Sequence, residues 1–157
     1  MLTRETAQVD GLVYDFVNEF VNSIPFNSFL GFELVALENE RLQFTLAMRD
    51  ELVGNFVHGI LHGGVISSLI DTAGGTMALV AALTRDPESE RHAVLSRLAK
   101  SGTIDMRVDF LRPGRGAEFR CTANLIRCGR KVAVVRTDFE NELDELVAVG
   151  TGSYLCS

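Results

Sequence analysis

The residues best suited to chemistry are two adjacent glycines and one isolated carboxylate. Gly63 and Gly64 follow His62 at the start of a long apolar segment. Glycine carries no side chain that keeps a ligand away from the backbone, and the free N–H groups at a helix N-terminus stabilise a developing oxyanion. Asp71 is the only acid in positions 52–85. A carboxylate in apolar surroundings is costly to bury, so such a residue often marks a functional site.

These residues also have a purely structural interpretation, in which Asp71 caps a helix or ties the core together and His62 satisfies the start of the helix. The spacing leaves both interpretations open. Asp71 lies nine residues after His62, which is about 13 Å along a helix, so the two cannot act on one atom within one chain. In a symmetric dimer with antiparallel helices, Asp71 of one subunit would face Gly63 of the other, giving two equivalent sites.

The elements that position these residues follow from hydrophobic spacing. Apolar residues recur every three or four positions over 9–24, which predicts an amphipathic helix that ends before Pro25. Residues 63–83 are apolar or small on nearly every side and predict a long helix buried all round. Alternating or apolar runs predict six strands, over 32–37, 42–48, 104–110, 119–125, 132–139 and 146–154.

The predicted order is therefore a helix, two strands, a long helix and four strands. The last four strands are joined by short, turn-like connections, so we expect an antiparallel sheet. A sheet with one apolar face is best buried by curling around the long helix. We predict an α+β fold, with an antiparallel sheet of about six strands wrapped around a long central helix and an extra N-terminal helix.

The 157 residues, 46% of them hydrophobic and 23% charged, are typical of one globular domain. We predict a single domain over 1–157, with residues 1–30 as an N-terminal helical extension. The N-terminus lacks the basic flank of a secretory signal, and the longest clean apolar run, 77–83, is too short to span a bilayer. We expect a cytoplasmic protein with no membrane partner. Three cysteines without a C-x-x-C pair argue against a disulfide framework or a zinc site, and we expect reduced thiols on strands.

The net charge of -6 disfavours a nucleic-acid partner. It conceals an uneven distribution, because the segment from Arg107 to Arg136 holds eight basic and two acidic residues, a local charge of +6 that leaves -12 for the rest. This asymmetry favours a small phosphorylated ligand over a polymer. The alternative is that the arginines are solvated strand residues that protect a sheet edge from pairing.

Two stretches of the sequence resemble a known family. Residues 61–66 (LHGGVI) with 71–73 (DTA), and residues 103–113 (TIDMRVDFLRP), are similar to the hotdog-fold acyl-CoA thioesterases of the phenylacetate-pathway, PaaI-like branch. The similarity runs from about Gly31 to the C-terminus. It implies a hotdog fold, hydrolysis of an acyl-CoA thioester to free acid and coenzyme A, and sites that form across a dimer interface.

The resemblance also implies roles for individual residues. Gly63 would donate its N–H to the thioester carbonyl, and Asp71 of the partner subunit would serve as nucleophile or as general base on water. His62, Asn55 and Thr103 would complete the catalytic set. Contacts with coenzyme A are expected from a glycine and four basic residues near turns, namely Gly64, Arg112, Arg115, Arg130 and Lys131. No metal or further cofactor is implied, since coenzyme A is part of the substrate.

Two other functions stay open. One is a non-catalytic hotdog domain that binds acyl-CoA. The other is a dehydratase or hydratase on the same fold, although its usual pairing of Asp and His on one loop-helix segment is not evident in the sequence. Fold does not fix function, so the thioesterase prediction depends on Gly63 and Asp71. The acyl chain and the choice between a dimer and a dimer of dimers are not determined, and residues 84–101, a surface excursion longer than usual in that family, are expected to reshape the acyl pocket.

Overall fold

The main strands form one six-stranded antiparallel sheet that packs around a long helix. The computed structural model describes residues 7–85 and 99–156. Neighbouring strands follow the order β1-β2-β6-β7-β8-β5, and all five pairings are antiparallel. The α+β hotdog architecture predicted from the sequence is confirmed. The elements in chain order are α1 (Gly11–Ser23), α2 (Pro25–Leu30), β1 (Glu33–Leu37), β2 (Arg41–Ala47), β3 (Val53–Asn55), β4 (Ile60–Leu61), α3 (Gly63–Arg85), β5 (Gly102–Phe110), β6 (Glu118–Cys128), β7 (Val132–Asn141) and β8 (Leu146–Leu155).

The inner face of the sheet is built by strict alternation. In β2, Leu42, Phe44 and Leu46 are fully buried, while the residues between them are only half-buried. Successive side chains of a strand point to opposite faces, so one face is apolar and the other polar. The edge strand β5 departs from this pattern, because Ile104 and Phe110 are 53% and 54% exposed. The alternation predicted for this strand is present, but within the described residues nothing covers its two ends.

Helix α3 is the core of the molecule, although it is not buried on every side as the sequence predicted. Its C-terminal half, over 76–83, is buried throughout. Its N-terminal half leaves one face partly open, formed by Gly64, Ser68, Asp71, Thr72 and Gly75. By length and composition α3 is able to cross a membrane, but 72% of its most apolar window is buried inside the fold, as in the core helix of a soluble domain.

The N-terminal segment folds as two helices rather than one. The Asp10 side chain accepts a hydrogen bond from the Leu12 N–H at 2.7 Å and caps α1. Pro25 ends α1, as predicted, but it also begins the short helix α2, because proline is favoured at the first position of a helix. Val17 and Val21 of α1 are buried in the same hydrophobic cluster as the sheet, so the N-terminal helices pack on the body of the fold.

The excursion predicted over 84–101 begins later than expected. Thr84 and Arg85 belong to the last turn of α3, and residues 86–98 lie outside the described residues. The Arg85 guanidinium donates to the backbone oxygen of Gly129, in the turn between β6 and β7. The C-terminal end of α3 therefore lies at the β6–β7 end of the sheet.

All three cysteines are free thiols. Cys121 and Cys128 lie on β6, whereas Cys156 follows the last residue of β8. The Sγ atoms of Cys128 and Cys156 are 3.8 Å apart. Burial, with a contribution from Cys128, raises the pKa of the Cys156 thiol to about 11, so this thiol stays protonated near neutral pH and is a poor nucleophile.

Candidate active site

The structure brings Asp71 and Thr103 into direct contact. Asp71 lies in the third turn of α3, and Thr103 is the second residue of the edge strand β5. The Thr103 Oγ1 hydroxyl donates a hydrogen bond of 2.7 Å to Asp71 Oδ1. A bond to a charged carboxylate is stronger than one between neutral groups, so it fixes the orientation of the carboxyl group and leaves Oδ2 to face other partners. These two residues are separated by 32 positions and meet only because β5 packs along α3.

His62 is the N-cap of α3. Its Nδ1 accepts a hydrogen bond of 2.8 Å from the Gly64 N–H, and its own backbone N–H donates to the Leu52 oxygen at 2.9 Å. An N-cap side chain satisfies one of the donors left free at a helix N-terminus. The contacts of His62 therefore match the structural interpretation, and the Gly64 N–H already has a partner.

Gly63 differs from its neighbour in this respect. Within the described residues, its backbone N–H has no acceptor. It is the first residue of α3, where the N–H groups point away from the helix and the dipole is positive. The Phe110 ring lies close to it, because a Cβ added to Gly63 would be 3.4 Å from Phe110 Cε1. Among the residues that the structure describes, Gly63 is therefore the one of the two glycines whose N–H is free.

Gly63 and Asp71 do not meet within one chain. They are eight residues apart on the same helix, which corresponds to about 12 Å. The face of α3 that runs between them is partly open, and within the described residues no strand pairs with the outer edge of β5. The donor and the carboxylate thus lie at two ends of an uncovered strip.

Asn55 lies at the Gly63 end of this strip. It ends β3, is exposed, and its Oδ1 accepts a hydrogen bond of 3.1 Å from the Val57 N–H. This bond closes the turn between β3 and β4, a short hairpin that the sequence did not predict. The hairpin leads directly into α3, so Asn55 is placed near the helix N-terminus and away from Asp71 on the same chain.

The four basic residues expected to contact coenzyme A fall into two groups. Arg112 Nη1 donates to the Leu146 oxygen at 2.8 Å, and Arg115 Nη1 to the His58 oxygen at 3.4 Å, so both lie near the N-terminal end of α3. Arg130 and Lys131 lie in the β6–β7 turn beside Arg85, at the other end. Because α3 has 23 residues, its ends are about 34 Å apart. One chain does not bring all four to one phosphate.

Much of the remaining positive charge of this region is neutralised on the outer face of the sheet. Ion pairs join Arg107 to Asp109 at 3.0 Å and Arg136 to Asp138 at 3.1 Å. Arg120 lies 3.7 Å from Glu140. These arginines fit the solvated alternative. Arg112 and Arg115 have no such acidic partner among the residues that the structure describes, so their guanidinium groups can bind an anion.

A cavity of about 310 Å³ opens beside Asp71 and Thr103. Its walls come from α3, from the adjoining ends of β5 and β8, and from the N-terminal helices. The lining is mostly apolar away from Asp71, and its residues include Phe20, Ile24, Phe26, Thr72, Thr76, Leu79, Tyr154 and Leu155. The sequence did not predict a contribution from the N-terminal helices, because their amphipathic spacing shows which face is buried but not what it faces.

Tyr154 also lines this cavity, and the sequence did not single it out. Its ring lies under α3 where Gly74 leaves room, since a Cβ added to Gly74 would overlap the tyrosine hydroxyl. The side chain is 2% exposed. Burial, followed by the negative charge of Asp71, raises the pKa of the hydroxyl, which therefore stays protonated over the physiological range. In the sequence, its place in the alternation of β8 indicated only a core residue.

The family model of the thioesterase superfamily matches residues 58–148, more than half of the chain. The chain belongs to the thioesterase superfamily. The matched segment of this superfamily member runs from the turn before α3 into β8, so it includes Gly63, Asp71 and Thr103. The family resemblance found in the sequence is confirmed.

Individual thioesterase-superfamily relatives cover nearly the whole chain. The medium/long-chain acyl-CoA thioesterase YigI of Escherichia coli is 43% identical over 136 residues, which span 87% of this chain and 88% of that protein. The crystal structure of a Shewanella oneidensis protein related to the thioesterase superfamily superposes with a TM-score of 0.87 at 33% identity, covering 95% of this chain and 100% of the other. The E. coli PaaI protein of the phenylacetic acid degradation operon gives a TM-score of 0.74 at 18% identity, covering 92% and 93%, which shows a likeness of fold.

Proposed function

We propose that this member of the thioesterase superfamily is an acyl-CoA thioesterase whose carboxylate is Asp71 and whose oxyanion donor is the Gly63 N–H of a second subunit. The observation that carries the proposal is the 2.7 Å hydrogen bond from Thr103 to Asp71 at the edge of an apolar cavity. The name of the E. coli relative, a medium/long-chain acyl-CoA thioesterase, agrees with this choice of substrate class.

The reaction follows from the two groups. The thioester carbonyl would accept a hydrogen bond from the Gly63 N–H, which stabilises the negative charge that forms on its oxygen. With Asp71 as general base, a water molecule attacks the carbonyl carbon and gives a proton to the carboxylate. The tetrahedral intermediate then collapses, the C–S bond breaks, and the thiolate of coenzyme A leaves and takes the proton that Asp71 accepted. The Thr103 hydroxyl keeps the carboxylate oriented throughout.

Asp71 as nucleophile is an equally balanced alternative. The carboxylate attacks the same carbon, coenzyme A leaves as the thiolate, and an acyl–Asp71 anhydride remains, which water then hydrolyses to the acid and the free carboxylate. Both routes need the same two groups in the same places. Both also proceed with protein groups and water alone, so we expect activity to survive treatment with a metal chelator and to need no added cofactor. The cytoplasmic location and the single-domain division stay predictions.

A symmetric dimer would complete the site. Gly63 and Asp71 are about 12 Å apart on one helix, but two antiparallel α3 helices would place each Gly63 beside the other chain's Asp71. Two features of the described residues favour this arrangement: the edge of β5 that none of them pairs with, where Ile104 and Phe110 are exposed, and the open, small-residue face of α3. Exposed edge strands readily pair with a second chain, and pairing of two β5 strands brings the open helix faces together. The alternative assembly is a dimer of dimers.

Arg112 and Arg115 are the proposed contacts for the phosphates of coenzyme A. They lie at the Gly63 end of α3. Within the described residues, neither guanidinium group forms an ion pair with a carboxylate. Planar guanidinium groups bind phosphate through two parallel N–H donors. Arg130 and Lys131 lie at the other end of α3, and a contact from them would need a different path for the cofactor portion of the substrate.

The test of catalysis is release of free thiol from acyl-CoA. We expect steady release by the wild type and at least a hundredfold loss of kcat in Asp71→Asn, which keeps the shape of the side chain and removes its charge. Asp15→Asn, at an exposed position of α1, is the matched control and should retain wild-type activity. Binding of acyl-CoA without thiol release by the wild type would replace this proposal with the non-catalytic alternative.

The test of the shared site is subunit mixing. Gly63→Pro lacks the donor and Asp71→Asn lacks the carboxylate, so each homodimer should be inactive. In random mixtures, half of the dimers are heterodimers, each with one intact site of two, and activity should recover to about a quarter of the wild-type value. No recovery, in mixtures whose exchange is verified by mass, would place both groups of a site on one chain. A monomer by sedimentation under assay conditions would also exclude the shared site.

A further inference from the structure

The N-terminal helices form one wall of the cavity beside Asp71, although they supply no group to the proposed chemistry. Phe20 lies on α1, Ile24 lies at the junction of the two helices, and Phe26 is the exposed second residue of α2. All three carry large apolar side chains. A wall of this kind binds no coenzyme A phosphate, and its chemistry suits a hydrocarbon chain.

The floor of the cavity is a single face of α3. The lining positions 71, 75 and 79 repeat every four residues, as do 72 and 76, so all five lie along one side of the helix. From Asp71 to Leu79 this face is about 12 Å long. An extended hydrocarbon chain advances about 3.5 Å for every three bonds. The cavity therefore holds roughly ten bonds of such a chain, counted from the Asp71 carboxylate.

The volume gives a second measure of the same length. The cavity, which is open to solvent on one side, has a volume of about 310 Å³, and a methylene group is similar in size to a water molecule, whose share of the liquid is about 30 Å³. Roughly ten carbons would therefore fill it. The two measures agree although one depends on the helix rise and the other on the space between side chains.

We propose that this cavity holds the acyl chain of the thioester, with its reacting carbon at the Asp71 end, and that Phe20 and Ile24 limit the chain to roughly ten carbons. The inference rests on the proposed thioesterase function and adds to it the substrate length and the residues that set it. It makes the N-terminal helices the specificity element of the protein.

The wall is fixed in place by packing. The Phe20 ring stacks on Phe16, with 6.5 Å between ring centroids and 10° between ring planes. On the same helix, Val17 and Val21 are 0% and 2% exposed and anchor α1 in the core. A wall held on two sides does not yield easily to a longer chain, so the length limit should be sharp.

The experiment measures kcat/KM for straight-chain acyl-CoAs from C4 to C16. In the wild type, we expect about a fourfold rise for each added methylene up to roughly ten carbons and a fall beyond. Phe20→Ala should enlarge the cavity and move the maximum to longer chains, whereas Ile24→Phe should fill it and move the maximum to shorter ones, each changing the C14-to-C8 ratio at least tenfold. Leu12→Ala, on α1 but 80% exposed, should reproduce the wild-type profile. Phe20→Leu is the milder variant if Phe20→Ala proves unstable.

A second readout separates this inference from the proposed activity. Binding of non-hydrolysable acyl-CoA thioethers of the same lengths, followed by calorimetry, should show the same length profile and the same opposite shifts. If thiol is released but both cavity variants keep the wild-type profile, the acyl chain lies elsewhere and the inference is overturned while the thioesterase stands. If no thioester is hydrolysed but thioether binding follows the predicted lengths and shifts, the proposed activity fails and the cavity assignment survives.

Discussion

Replacing Gly63 by proline is the sharpest test of the oxyanion donor. Gly63 occupies the first position of α3, where proline is favoured because its fixed φ fits the helix and its missing N–H breaks no helical hydrogen bond. Proline restricts the preceding residue to an extended conformation, which an N-cap residue such as His62 normally adopts anyway. The substitution therefore removes one donor from the site while leaving the helix intact.

Gly63→Ala is the comparison that isolates this donor. Both variants add a Cβ, which would lie 3.4 Å from Phe110 Cε1 and 3.5 Å from Cζ, so a small shift of that exposed ring accommodates either one. Alanine keeps the N–H and proline does not. Loss of one oxyanion donor lowers kcat by about 10² to 10³, or roughly 3 to 4 kcal/mol of transition-state stabilisation. We expect Gly63→Ala to lose less than tenfold and Gly63→Pro to lose a further hundredfold or more.

The measurement is steady-state thiol release, with kcat and KM determined separately and thermal unfolding as a check on folding. A donor that acts only on the transition state changes kcat and leaves the affinity for a thioether analogue nearly unchanged. A kcat for Gly63→Pro within tenfold of that for Gly63→Ala would refute the assigned role. A loss confined to KM would indicate that the proline ring obstructs the substrate, and would equally refute it.

Three further predictions concern other residues of the candidate site and its surroundings. Thr103→Val removes the hydroxyl bonded to Asp71 and should lower kcat by about 10- to 100-fold, whereas Thr103→Ser should restore most of the activity; equal rates for all three would deny the hydroxyl a positioning role. Gly74→Ala forces a Cβ against the buried tyrosine hydroxyl and should destabilise the protein by about 1 to 3 kcal/mol, while Gly75→Ala, with its nearest contact at 3.7 Å, should leave Tm unchanged or raise it; melting curves that shift together would contradict this packing. Arg112→Ala should raise KM for acyl-CoA severalfold and weaken its dependence on salt, but Lys131→Ala should not, and the reverse order would move the phosphate contact to the other end of α3.

The main elements could be predicted because each depends on a local rule. Alternation over 42–48 marks a strand, and β2 spans Arg41–Ala47 with one buried face. The small and apolar residues of 63–83 mark a long core helix, and α3 runs to Arg85. The elements that were missed are short: β3 has three residues, β4 two and α2 six. Segments of this length contain too few residues to show a periodic pattern.

The site was predicted in its parts, and its arrangement was not. Glycine and aspartate could be singled out because each is unusual in its local sequence. The contact between Thr103 and Asp71 depends on how β5 lies along α3, and no local pattern encodes it. The basic residues looked like one group because they lie close in sequence, but antiparallel strands carry neighbours such as Arg115 and Arg130 to opposite ends of the sheet. Only the packed fold separates them.

The two halves of α3 are under different constraints. Residues 76–83 are buried throughout, so their side chains are constrained by packing in the core. The open face before them is constrained instead by the proposed catalysis and subunit contact. Substitutions should then fail for different reasons along a single helix. In a mutational scan scored separately for abundance and for thiol release, the C-terminal half should lose both together. Substitutions on the open face should lower activity while the protein still accumulates. The two scores together would then distinguish the positions of α3 that are needed for folding from those needed for catalysis.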